Sequence, residues 1–324
     1  MHKDSVISID MGGTKVLGCV VNSKEGIIAR VKQPVDPKAT RKKYVHQLAE
    51  VVYDLIEETH INKKKIKTVC LGVPGTANPE KGIIGLAPNL GLKNFNIRKM
   101  LKAEIPYPVL IENDVNLGAL GIKNFGVGKK SKNMLAVFVG TGIGGGLIID
   151  GKMYRGSSFV AGEIGHMLVE KNGPKCGCGR KGCFEAIASR TAIVNNIIKD
   201  VKSGKRSTLS KLVKNKERIR SKSLLNAVKK KDKVVCKRIN EGCEVIGGVL
   251  ASISNLLNLD MIVLGGGMIE ALDFYMIPLI KESFSEHVMN DSAKGLKIVE
   301  SKLGDDAAIF GGIALAEEFL GVRV

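Results

Sequence analysis

The stretch "CGCGRKGCFEA" (176–186) places Cys176, Cys178 and Cys183 within eight positions and sets Glu185 directly behind them. Thiols at this density can serve as disulfides, as a redox pair or as a metal cage. The chain has seven cysteines and reads as cytoplasmic, a reducing compartment, which argues against disulfides. Cys19 and Cys70 lie in apolar strand-like runs, and Cys236 and Cys243 in a helical pattern, where a free thiol packs as a small hydrophobe. Ten residues before Cys176, "AGEIGHM" (161–167) supplies His166, with Glu163 three positions earlier. Three thiolates and one imidazole form the four-ligand set of a structural zinc site with no open position. The C-x-C-x4-C spacing is not that of common fingers, so composition alone carries the zinc expectation.

Glycine turns form a second set. Gly12, Gly13 and Thr14 sit in one, and Gly140, Thr141 and Gly142 in another. Glycine lets backbone N–H groups approach phosphate oxygens, and a short hydroxyl adds a donor. Asp10, just before the first turn, is placed to hold a hydrated Mg²⁺. Both turns also read as plain tight hairpins. "GTGIGG" (140–145) matches the dinucleotide pattern G-x-G-x-x-G, but that fingerprint needs a helix after the turn, and here a strand follows. No Walker loop occurs. A third run, Gly265, Gly266 and Gly267 in "LGGGM", suits a flat ring lying on the backbone, and equally suits packing. In "VLIENDVNLGAL" (109–120), Glu112, Asn113 and Asp114 end an apolar strand before a helical run, the place where α/β folds carry chemistry. Asp114 also reads as a helix N-cap.

The elements that position these residues occur twice. "SVISIDMGGTKVLGCVV" (5–21) and "NMLAVFVGTGIGGGLIIDG" (133–151) each read as strand, glycine turn and strand. After the first come a strand at 27–35, a helix at 41–59 and strands at 66–73 and 109–112. After the second come a short strand near Met167, a long helix from Glu185, and helices to about Asn258. A strand at 261–267, a helix at 271–286, a strand at 297–301 and a final helix at 305–320 follow. Two related α/β units facing a ligand cleft are expected from this pattern.

Composition bounds the rest. The 324 residues, 44% hydrophobic and 25% charged, suit a globular chain long enough for two domains. Asp4 and Asp10 interrupt the only N-terminal apolar stretch, so no signal peptide is expected. The longest uncharged run, 133–149, contains five glycines and falls short of a membrane span. Net charge is +18, and residues 199–238 hold 16 Lys/Arg against 3 Asp/Glu. That segment has no aromatic to stack on bases, and no finger motif is present, so nucleic acid is not expected as a partner. A solvated basic surface, or steering of an anionic substrate, is the alternative.

Taken together, "DMGGTK" (10–15), "ENDVN" (112–116), "GTGIGGG" (140–146), "AGEIGHM", "CGCGRKGCFE" (176–185) and "LGGG" (264–267) resemble the ROK family of sugar kinases and repressors, within the hexokinase–actin–Hsp70 superfamily. The resemblance covers nearly the whole chain. It implies an α/β fold of two ribonuclease-H-like, actin-like ATPase domains around a central cleft, 1–118 with 305–324 and 119–304. It implies a kinase that transfers phosphate from ATP with Mg²⁺ to the 6-hydroxyl of a hexose. Asp114 would be the catalytic base, and Asn113, Glu163, His166 and Glu185 would hold sugar hydroxyls, with Gly75 and Asn89 nearby. Asp10, Gly12, Gly13, Thr14, Lys15, Gly140, Thr141 and Gly142 would serve the phosphates and metal, and Gly265 to Gly267 the adenosine. His166, Cys176, Cys178 and Cys183 would carry structural Zn²⁺, tying His166 and Glu185 into one surface. D-glucose is the expected acceptor, on the "PNLGLKNF" turn (88–95), although many glucokinases of the family have an aromatic where Leu92 stands. The alternatives are an N-acetylglucosamine or N-acetylmannosamine kinase, a fructokinase, and a sugar sensor without catalysis. A repressor would need a helix-turn-helix domain before the first hairpin at Ser5, and none is expected. A homodimer is the family expectation.

Overall fold

The computed structural model describes every residue except 1, 2, 37 and 323. Its strands are β1 (Ser5–Met11), β2 (Lys15–Asn22), β3 (Gly26–Pro34), β4 (Ile66–Val73), β5 (Thr76–Asn78), β6 (Ile83–Ala87), β7 (Leu92–Phe95), β8 (Val109–Asn113), β9 (Met134–Val139), β10 (Ile143–Ile149), β11 (Lys152–Tyr154), β12 (Met261–Gly265) and β13 (Lys297–Glu300). The helices are α1 (Arg41–Thr59), α2 (Ile97–Lys102), α3 (Asp114–Phe125), α4 (Phe184–Ala188), α5 (Arg190–Lys202) and α6 (Ser210–Lys214). They continue as α7 (Ser221–Lys229), α8 (Lys233–Leu257), α9 (Ile269–His287), α10 (Asn290–Ala293) and α11 (Asp306–Leu320).

The expected duplication is present. One sheet runs β3-β2-β1-β4-β8 and another β11-β10-β9-β12-β13, the same order built from the same parts. In the first, β1 and β2 form an antiparallel hairpin, while β1, β4 and β8 run parallel. A parallel sheet needs cover on both faces, and β1 is nearly all buried. Ile7 and Ile9 join the core beneath Val45, Leu48 and Val52 of α1. Their neighbours Ser8 and, in β4, Cys70 face α11, donating to its Ala308 and Gly312 carbonyls at 3.4 and 3.1 Å. A strand's period of two thus gives each helix its own set of residues.

The chain forms two compact units, 1–130 with 146–161 and 305–324, and 131–145 with 162–304. The first also carries a three-stranded sheet, β5-β6-β7, that its sequence pattern did not announce. Two local expectations fail. Around Met167 there is no strand, only an isolated bridge between Leu168 and Cys183. The single helix from Glu185 is two helices. Ser189 is extended (φ −68°, ψ 161°), and its hydroxyl caps α5 by accepting from Ala192 N at 3.2 Å. A serine satisfies an orphan helical N–H best from a non-helical backbone, so Ser189 ends α4 and starts α5. No helix among the described residues is long and apolar enough to cross a membrane.

Candidate active site

In the first unit, parallel pairing sets Asp10 opposite Gly72, Gly72 opposite Glu112, and Val73 opposite Asn113. These are the carboxyl ends of adjacent strands. The hairpin turn after Asp10 closes through Gly12 N to Lys15 O at 2.9 Å, and the Thr14 carbonyl accepts from Val35 N. Asn89 lies against this turn, its Cβ 3.6 Å from where a Gly13 Cβ would stand. Lys15 pairs with Asp305 at 2.6 Å. Burial pushes the Asp10 carboxyl up to about 6, with Lys15 opposing and Asp305 assisting. A carboxylate that is costly to ionise alone fits a place where a cation completes it.

Asp114 is not the N-cap. Asn113 is: its side chain accepts from Asn116 N at 3.0 Å and donates to the Gly75 carbonyl at 2.8 Å and to Asp114 Oδ1 at 3.1 Å. Asp114 is the first helical residue, with Oδ1 also accepting from Val115 N at 2.9 Å. Gly75 is at φ 77°, and a Cβ there would collide with the Leu86 carbonyl, so this turn requires glycine.

Behind Asp114 stands a network that motif reasoning missed. Glu112, 1% exposed, accepts from Asn113 N at 2.9 Å and from Asn116 Nδ2 at 3.1 Å with one oxygen. Its other oxygen accepts from Arg155 Nε at 2.6 Å. Arg155 then forks onto both oxygens of Glu318 in α11 at 2.6 and 2.9 Å, with the Phe319 ring beneath it. Burial pulls the Arg155 pKa down, but the two carboxylates outweigh it. Arg155 lies between motifs and is 43 residues from Glu112, so no local pattern marks the pair.

In the second unit, the 140–142 turn closes through Gly140 N to Gly142 O at 2.9 Å. The turn at 265–267 lies beside it, because Gly265 pairs with Phe138 and Met268 N donates to the Val139 carbonyl. Glu185 Oε2 accepts from Ile143 N at 3.0 Å, so close that a Cβ on Gly142 would strike it. The short helical turn Ile164–His166 rests on the same strand, where a Gly165 Cβ would strike the Ile143 carbonyl. Two glycines therefore bring Glu163, His166 and Glu185 beside the turn.

The Cys/His set gathers there as well. Ligand atoms of His166, Cys176, Cys178 and Cys183 all lie within 4.8 Å of one another. Cys178 and Cys183 sulfurs are 3.7 Å apart, and His166 Nδ1 is 3.7 Å from the Cys176 sulfur. A tetrahedral site with metal–sulfur bonds of about 2.3 Å has edges of about 3.8 Å, so the spacing fits zinc. His166 Nε2 faces Glu163 Oε2 at 3.8 Å, and Cys176 Sγ lies 3.8 Å from Glu185 Oε1. Burial pushes the Cys176 thiol up to about 12, while the Arg180 backbone N–H holds Cys178 down.

The ROK family model matches residues 6–319. A glucokinase of Halalkalibacterium halodurans is 30% identical over 307 residues, covering 94% of this chain and 93% of the relative. A xylose repressor of Caldicellulosiruptor bescii is also 30% identical, over 97% of this chain and 79% of its own length. Among solved structures, a ROK glucokinase from Streptomyces griseus in complex with glucose and AMPPNP superimposes with a TM-score of 0.83 at 26% identity, covering 97% and 99%. The fold is thus α/β with two ribonuclease-H-like, actin-like ATPase domains, and the chain belongs to the ROK family.

Proposed function

We propose that this chain is an ATP-dependent hexose kinase that phosphorylates the 6-hydroxyl of a sugar, with D-glucose as the preferred acceptor. The observation that carries this reading is the arrangement at the start of α3. Asn113 caps the helix, so the helix does not use the Asp114 carboxylate as its cap, and buried Glu112 fixes the turn from behind. A carboxylate held at a strand end beside a glycine turn is suited to accept the proton of an attacking hydroxyl. Phosphoryl transfer then depends on positioning and charge neutralisation. On this reading Asn113, Glu163, His166 and Glu185 bind sugar hydroxyls, with Gly75 and Asn89 shaping the loop. Turns 12–14 and 140–142 with Lys15 take the donor phosphates, and 265–267 takes the adenosine. Mg²⁺ would be held from the Asp10 side and would neutralise phosphate charge. Zn²⁺ would be held by His166 and the three clustered cysteines, fixing the loop without taking part in transfer.

Support for ATP and glucose comes from the Streptomyces griseus relative, which was solved with glucose and AMPPNP. The domain division 1–118 with 305–324 and 119–304, and a homodimer, belong to the same proposal. The xylose repressor relative favours a second reading, a sugar-responsive protein without catalysis. One experiment separates them: ATP consumption with Mg²⁺ across glucose, mannose, fructose, N-acetylglucosamine and N-acetylmannosamine. Turnover led by glucose is expected. An acetylated sugar leading by about tenfold, roughly 1.4 kcal/mol of transition-state preference, refutes glucose and keeps the kinase. No turnover with any sugar refutes the kinase.

A further inference from the structure

The two glycine hairpins occupy matching places and differ in charge. Asp10 pairs with Gly72 of β4 in the first sheet, and Phe138 pairs with Gly265 of β12 in the second, so an acid in one stands where a phenyl ring stands in the other. The second turn has an arginine instead. Arg190 N donates to the Gly140 carbonyl at 3.0 Å, and its Nη2 donates to Thr141 Oγ1 at 2.9 Å. Its Nη1 reaches Ser221 Oγ, at the start of α7, at 3.5 Å. Thr191 Oγ1 donates to the Thr141 carbonyl at 2.6 Å.

Among the described residues no carboxylate forms an ion pair with Arg190, which is only partly exposed. Burial first, and nearby Arg218 second, hold its pKa below the usual arginine value. Arg218 belongs to the basic stretch 199–238, where 15 Lys/Arg are exposed and Glu217 is the one exposed acid. Asp200 and Asp232 are buried, engaged with Arg238 and Lys205 and with the 207–208 turn respectively. A partly buried cation without a counter-ion is costly until an anion arrives. A guanidinium has five N–H donors in a fork that matches phosphate oxygens, and the hydroxyl contacts occupy two.

We infer that Arg190 is a donor-binding residue: its guanidinium, seated on Thr141, binds the phosphate chain of a nucleoside triphosphate, while Arg218 and its basic neighbours draw that chain in. The identity of the donor rests on the kinase reading; the unpaired charge does not. A mere staple of the turn would also contact Thr141, but its loss would loosen everything the turn supports.

Calorimetric titration of the full chain with AMPPNP and with inorganic triphosphate tests this. The variants are Arg190→Gln, Arg190→Lys and the exposed Arg218→Gln, with melting temperature and sugar affinity measured alongside. Arg190→Gln is expected to weaken both anions about tenfold, the scale of a lost charge-assisted contact. Arg190→Lys should recover part of that. Arg218→Gln should weaken binding about twofold to threefold and flatten its salt dependence, as expected of a screened charge. Sugar affinity and melting temperature should hold. Unchanged anion affinity in both glutamine variants overturns the inference, as does a wild-type chain that binds neither anion, or sugar affinity and melting temperature falling in step with anion affinity. Arg190-dependent AMPPNP binding without turnover of any hexose would overturn the kinase proposal and leave this inference standing.

Discussion

Two positions to either side of Asp114, Glu112 and Asn116 are buried at 1% and 3% exposure, whereas 13 of the 16 residues from 167 to 182 are exposed. Both regions have to hold polar side chains in fixed places. Around Asp114 the sheet does this. Three parallel strands end together, and a buried carboxylate ties the turn to Arg155. Beside Glu163, His166 and Glu185 the 167–182 loop has no comparable core. Its few anchors are the Leu168–Cys183 bridge, the fully buried Phe184 and the collected thiols. Where hydrophobic burial is missing, ligation can supply the ordering energy. Position at the first site therefore comes from folding itself, whereas at the second, on the proposal that the quartet holds zinc, it would come from ligation.

The change that cuts deepest is Asp114→Asn. It keeps the side chain's size and its capacity to accept from Val115 N, so fold and sugar affinity should hold. Loss of the proton acceptor should lower kcat by about 10²–10⁴-fold. Steady-state kinetics with a binding control measures it. A variant with near-full kcat would remove Asp114 from the chemistry.

Second in size is Cys178→Ser, in the loop. Cys178 is the exposed member of the quartet, so its replacement removes a ligand with little effect on packing. Metal analysis should find about one zinc per chain in the wild type and much less in the variant. Sugar affinity should fall by about 10-fold or more, and donor affinity less, because Glu163 and Glu185 adjoin the ligands. Full activity with the thiols free would show that the loop orders itself and would erase the contrast between the regions.

Much of this contrast can be read in the sequence, though unevenly. The two hairpins, helix Arg41–Thr59 and strand Ile66–Val73 follow from periodicity and turn residues, both local signals. The Cys/His quartet is visible from ligand chemistry, and the structure gathers its four members. The break at Ser189 is hidden, because a serine within an apolar helical pattern looks ordinary until its hydroxyl is seen capping Ala192. Glu112–Arg155 and Arg155–Glu318 are hidden for another reason. Pairs 43 and 163 residues apart are joined by topology, and charge alone does not say which arginine meets which acid.

That network also gives the smallest expected effect. Arg155 holds Glu112, which holds Asn113 N and Asn116 Nδ2. It is a positioning residue. Removing Arg155 outright would strand a carboxylate that is 1% exposed, and leaving a buried charge unpaired endangers the fold. Glu318→Gln is the gentler cut, since that side chain is 39% exposed and an amide can still accept from the fork. Weakening the outer pair should let Arg155 relax and blur the Asp114 turn. The expected outcome is a loss of kcat of about threefold, of the order of a partly exposed ion pair, with little change in KM and at most a small fall in Tm. Arg155→Lys should lose more, because an ammonium cannot reach Glu112 and both Glu318 oxygens in one plane. If Glu318→Gln lowers Tm by several degrees while kcat stands still, the network braces α11 and does not position Asp114. If kcat falls with Tm unmoved, the sheet end owes part of its precision to a pair on the far helix.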